Sequence, residues 1–170
     1  LPLATQFWRP GTNYLDVIVS TTAKYVRNGD FVVVSEKALS TARGNILDED
    51  TFKPSFTAKI LARYWMRWGW GYFLGVVCRF GQRLQRRLRN YPVESGSRHK
   101  QSVLQQAGFM QALMFGSEGG IDGSNLPYSL VSLPLTDTYY VAEQIRLRIL
   151  QRLGKRVAVV IVDTDKTYTF

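Results

Sequence analysis

"TDTYYVAEQIRLRILQRLGKRVAVVIVDT", residues 136–164, decides the fold. In its first half Val141, Ile145, Ile149 and Leu153 recur every four residues, one apolar stripe along a helix. Thr136 or Asp137 stands at the N-cap and Gly154 at the stop, so the pattern predicts an amphipathic helix over Asp137–Leu153. The second half, "RVAVVIVDT" (156–164), is a continuous apolar run that ends on an acid, which reads as a strand buried on both faces. Asp163 then lies at the carboxyl end of a strand, where open α/β sheets bind their ligands.

Other segments repeat the alternation. "TNYLDVIVSTTAKYV" (12–26) spaces Leu15, Ile18, Val19 and Val26 as a helix, with Thr12 or Asn13 as its cap. "NGD" (28–30) is a turn signal, and "FVVVS" (31–35) follows as a second buried strand. "EKALSTARGNILDED" (36–50) predicts a short irregular helical turn and a brief strand near Asn45–Leu47. "KPSFTAKILARYWMRW" (53–68) reads as helix, with Gly69 and Gly71 disturbing the pattern beyond it. Residues 99–116 read as helix despite Gly108, and "YSLVSLPL" (128–135) reads as extended chain. Strands alternating with helices favour an α/β or α+β fold, a mixed sheet with flanking helices.

The 170 residues suffice for one domain with a real core, or two small lobes, and 45% hydrophobic content argues against disorder. A single cysteine, Cys78, excludes an internal disulfide and a cysteine-based zinc cluster. The apolar run "WGWGYFLGVVC" (68–78) is too short to span a membrane, which takes roughly 20 residues. It reads as packed against the core or a second copy, with Cys78 a buried small hydrophobe. A net charge of +9 attracts anions without choosing among them. In "RFGQRLQRRLRNY" (79–91), Leu84 and Leu88 share one helix face and arginines cover the rest. A solvated face is preferred here over a nucleic-acid site.

"EGGIDGSNLP" (118–127) places Asp122 in a loop too rich in glycine for regular structure. Asp122 and Asp163, with the Thr164 hydroxyl, are hard oxygen donors suited to magnesium or manganese. On spacing alone, a turn acid and a helix cap remain the preferred reading.

Five segments in order change that balance. "LPLA" (1–4), "NGDFVVVSEKALSTARG" (28–44), "GGIDGSN" (119–125), "LPLTDTYYVAEQIRLRI" (133–149) and "GKRVAVVIVDT" (154–164) resemble the coenzyme F420-0:L-glutamate ligase family. The resemblance implies a cytoplasmic, homodimeric γ-glutamyl ligase. Such an enzyme adds L-glutamate to a carboxylate of the coenzyme F420 precursor, using GTP and a divalent metal (Mn or Mg), through an acyl phosphate. It implies Asp122, Asp163 and Thr164 as metal ligands, with the two acids sharing one ion. It implies nucleotide contacts at Leu1, Pro2, Leu3, Ala4, Glu36, Lys37 and Asn125. Residues 1–170 read as a single domain of this kind, incomplete at the C-terminal end. The stretch Leu61–Gly116 matches the family pattern poorly.

Two other functions remain open at this point: a non-catalytic family member, and a basic nucleic-acid-binding module using Arg79–Arg89 and the neighbouring aromatics. His99, the only histidine, is flanked by basic residues and reads as an exposed residue near a helix start.

Overall fold

The computed structural model describes residues 1–116, 118–123, 126–127 and 129–163. The first elements are α1 (Tyr14–Thr22), β1 (Phe31–Ser35), α2 (Glu36–Ala42), β2 (Ile46–Asp48) and a 3-10 turn (Glu49–Thr51). Helices follow: α3 (Phe56–Ile60), a π-type helix (Leu61–Leu74), α4 (Gly75–Val77), α5 (Gln82–Arg89), α6 (Val93–Gln106) and α7 (Phe109–Leu113). A second 3-10 turn (Glu118–Gly120), β3 (Leu130–Ser132), α8 (Thr138–Leu153) and β4 (Ala158–Val162) complete the order. This mixture of helices and small sheets is an α/β fold. The chain forms two compact units: Leu1–Ile46 with the chain from Ser132 onward, and Leu47–Val131.

In the first unit β1 and β4 pair in parallel, from Phe31 opposite Ala158 to Ser35 opposite Val162. The expected stripe of α8 is buried at Val141, Ile145 and Ile149, which join Val32, Val34, Leu39, Ile18 and Trp8 in one core. Each such aliphatic side chain contributes about 1.5–3 kcal/mol by leaving water. Gly154 ends α8 at φ 65°, a left-handed conformation that costs glycine little. Asp137 is the N-cap residue, but its carboxylate pairs with Arg43 at 2.5 Å and makes no capping bond. Asn13 caps α1 as expected, its Oδ1 accepting from the Asp16 N–H at 3.3 Å.

The sheet corrects one expectation. Strands 31–35 and 156–164 read as buried on both faces, yet among the described residues β1 alternates, with Val32 and Val34 buried and Phe31 and Val33 exposed. A continuous apolar run signals a strand but does not state how many of its faces are covered.

In the second unit Ser55 caps α3, its Oγ accepting from the Ala58 N–H at 3.2 Å. The helix then runs on past Gly69 and Gly71 to Val77. Gly71 serves close packing here: a Cβ on it would meet the Arg89 backbone nitrogen at 3.0 Å. Met66, Trp70 and Leu88 form a core, and the indole N–H groups of Trp65 and Trp70 both donate to the Leu113 carbonyl at 2.7 Å. On the outer side Trp68, Phe73, Val76 and Val77 are exposed within the chain, so of the two expected covers the core does not supply it for them, and Cys78 is exposed where a buried small hydrophobe was expected. Leu84 and Leu88 turn inward on α5 as expected, while Arg83, Arg86 and Arg87 are exposed. Arg89 leaves the wet face, donating to the Gly71 carbonyl at 2.9 Å and lying over the Tyr72 ring at 4.4 Å.

The single helix expected over 99–116 is two. It begins earlier, at Val93, and breaks at Gly108, which has φ 87°. Among the described residues no helix is long and apolar enough to cross a membrane.

Candidate functional site

The first unit gathers chemistry at one end of its sheet. Because β1 and β4 run parallel with Ser35 opposite Val162, the next residues, Glu36 and Asp163, leave the sheet at the same end. Glu36 opens α2, and one of its carboxylate oxygens accepts the Leu135 N–H at 2.8 Å. That bond ties the "LPLT" segment (133–136) to the sheet end. Lys37 is half-buried one residue further on, and its carbonyl accepts the Thr41 hydroxyl at 2.8 Å. Asp163 is exposed. Leu1, Pro2 and Ala4 are exposed and Leu3 half-buried, in irregular chain of the same unit. Asn125 and Thr164 lie outside the described residues.

Asp122 belongs to the second unit, half-buried in an isolated β-bridge. Its loop is entered through positive φ angles at Glu118 (33°), Gly119 (69°) and Gly120 (79°). Glycine adopts these freely, but at Glu118 the geometry strains the backbone and needs fixing by its surroundings. Glu118 is fixed by two cations on α6. His99 Nε2 donates to its Oε2 at 2.9 Å and Lys100 Nζ to its Oε1 at 2.5 Å.

His99 is therefore no exposed residue near a helix start. It lies in the middle of α6 with its side chain 18% exposed, bridging Glu118 and Glu49. Its Nδ1 donates to Glu49 Oε1 at 2.6 Å, and the Ser102 hydroxyl donates to the same oxygen at 2.7 Å. Burial disfavours the imidazolium, but hydrogen bonds to Glu118 and Glu49 outweigh it and raise the pKa to about 9. Lys100 is fully buried, which lowers its pKa against the opposing pull of Glu118. Burial alone would raise the Glu118 pKa, yet His99 and Lys100 hold it below the ordinary value. Burial and the Glu118 and Glu49 charges keep the neighbouring Tyr91 phenol protonated. Two carboxylates and two cations thus neutralise one another in the interior.

Periodicity missed this network because the buried positions of α6 are mainly polar: Ser97, Lys100, Gln101 and Ser102, with Val103 the apolar one. The available signal was a run of polar residues on a helix with too few apolar positions to fill a core face.

The sheet end offers hard oxygen donors and a lysine, a set suited to phosphate oxygens and a divalent cation. Among the described residues no three His, Cys, Asp or Glu side chains converge as a metal cluster.

Known proteins give the arrangement its context. The F420-0:Gamma-glutamyl ligase family model matches residues 2–169. An uncharacterized protein of Methanocaldococcus jannaschii is 36% identical over 171 residues, 98% of this chain and 58% of that protein. A coenzyme F420:L-glutamate ligase of Archaeoglobus fulgidus is 30% identical over 152 residues, 87% of this chain and 52% of that protein. The chain spans a little over half the length of these relatives. With the family model matching residues 2–169, the chain belongs to the F420-0:Gamma-glutamyl ligase family.

Proposed function

We propose that this chain is the part of a γ-glutamyl ligase that binds GTP and joins L-glutamate to a carboxylate of a coenzyme F420 precursor or a related acceptor. The observation that carries this reading is the parallel register that leads Glu36, Lys37 and Asp163 out of the sheet at one end. Asp122, Asp163 and Thr164 would hold a divalent cation, Mn or Mg, as hard oxygen ligands. When bound, the cation supplies charge neutralisation on the phosphate oxygens.

The chain's own residues then have separable tasks. Lys37 meets phosphate as a point charge. Glu36 holds the 133–136 segment in place through the Leu135 N–H. Leu1–Ala4 and Asn125 complete the nucleotide contacts. The acceptor carboxylate takes the terminal phosphoryl group of GTP, giving an acyl phosphate and GDP. The amine of L-glutamate displaces phosphate and loses a proton, giving the amide. A cytoplasmic homodimer accompanies this reading, and the exposed Trp68, Phe73, Val76 and Val77 provide an apolar surface for a second copy.

A second reading rests on a separate observation. No acid occurs between Asp50 and Glu94, and exposed Arg83, Arg86 and Arg87 share α5. Such a surface suits single-stranded nucleic acid.

The test is phosphate release from GTP by this chain with Mn, acceptor and L-glutamate. Release that requires both organic substrates supports the ligase. Release independent of them, together with single-stranded DNA binding that weakens steeply with salt, supports the second reading.

A further inference from the structure

The second unit contains a cavity of about 440 Å³ that the ligase reading has not used. Glu49, Asp50, Arg98 and Gly123 line it, with Leu130 and Val131 supplying apolar wall. This volume lies within the range of small-ligand sites, which combine apolar wall with a few placed polar groups.

Its charges are mixed. Glu49 is 13% exposed, and its Oε1 is pinned by His99 and Ser102, so the carboxylate is fixed before any ligand arrives. Arg98 is 30% exposed, with Nη1 on Asp50 and Nη2 on Glu94, both at 2.7 Å. Those contacts use two of the five donors of a guanidinium. A simple anion would face two carboxylates, and a simple cation would face Arg98. A molecule that carries both charges close together can meet Glu49 and Arg98 at once. That is the chemistry of an α-amino acid.

The position suits the reaction too. Gly123 follows Asp122, so the cavity borders the Gly-rich loop. An amine held here stands beside the loop assigned above to metal and nucleotide.

We propose that this cavity binds the incoming α-amino acid, with Glu49 receiving its ammonium group and Arg98 its α-carboxylate. The zwitterionic class rests on the cavity alone; L-glutamate as the particular amino acid rests on the ligase reading.

The experiment is calorimetric titration of L-glutamate into the chain, with and without GTP and Mn. Controls are glutarate, which lacks the ammonium, and 4-aminobutyrate, which lacks the α-carboxylate. Arg98→Met and Glu49→Gln are titrated alongside, and the Gly123 amide is followed by nitrogen-15 NMR. L-Glutamate binds and shifts the Gly123 resonance. Each variant and each control binds about tenfold more weakly or worse, as losing one charged hydrogen bond requires. Glu49→Gln disturbs the His99 network, so if it fails to fold, Arg98→Met and the Gly123 signal decide.

Glutarate binding as tightly as L-glutamate, or unchanged affinity in Arg98→Met, overturns the proposal. So does a Gly123 resonance unmoved at saturation. GTP binding with Mn is measured in the same samples. L-Glutamate bound at the cavity without GTP binding keeps the cavity and removes the ligase reading. GTP bound without L-glutamate keeps the ligase reading and removes the cavity. Neither ligand bound removes both.

Discussion

Helices α8 and α6 bury opposite kinds of surface. The buried positions of α8 are Val141, Ile145 and Ile149, whereas α6 buries Gly96, Ser97, Lys100, Gln101, Ser102 and Val103. The first interior is held by removal of apolar surface, which is indifferent to pH and forgiving of geometry. The second depends on partners: two carboxylates and two cations that each need the others to remain buried. An apolar interior weakens in proportion to what is removed. A charged one fails when a single member is lost, because the remaining charge has no water to return to.

Glu118→Ala is expected to break the contrast most strongly. It strands the fully buried Lys100 and removes one partner of His99, a loss of about 3–5 kcal/mol. Three of the four tryptophans, at 65, 68 and 70, lie in this unit, so fluorescence during urea unfolding reads it. A loss below about 1 kcal/mol would mean the network is more hydrated than its burial indicates. Ile149→Ala in the other unit should cost about 3 kcal/mol through lost burial and a cavity, equally at pH 6 and pH 9. A pH-dependent cost there would erase the contrast.

The titration itself sharpens it. The His99 pKa is raised from 6.5 to about 9 in the fold, so its contribution is full below pH 6.5 and is lost as pH rises through 9. The amount is on the order of 3 kcal/mol. Stability measured from pH 6 to 10 should fall across that window, and His99→Gln should flatten the fall. An unchanged slope in the variant would assign it to other groups. The smallest effect is reserved for Arg86→Ala with Arg87→Ala, two exposed charges worth less than about 0.5 kcal/mol each. A large drop in melting temperature would place them in an interface.

The same contrast explains what could be read in advance. The stripe of α8, the strands around Val32 and Val159, the α5 leucines and the short strand near Leu47 follow from apolar spacing, because burial of apolar groups leaves a period in the chain. The α6 network leaves no such period. Its residues are the types that normally face water, and their partners, Glu49 and Glu118, lie far from them in sequence. Phe31, Val33 and Cys78 failed the other way: apolar residues were read as covered, yet hydrophobic residues also occupy protein surfaces. Asp163 was legible as a strand end. Its neighbourhood with Glu36 and Lys37 came from the family resemblance and not from apolar spacing, since strand pairing across most of the chain is not written in either strand alone.

The most direct test of the sheet-end site is manganese binding followed by electron paramagnetic resonance of the free ion, with GTP present. Wild-type chain and Asp163→Asn are compared, with circular dichroism as the check on fold. The account predicts binding by the wild type and an affinity at least about tenfold weaker in the variant, because a neutral amide is a poor ligand for a hard cation. Equal affinity in the two chains, with both folded, would contradict it.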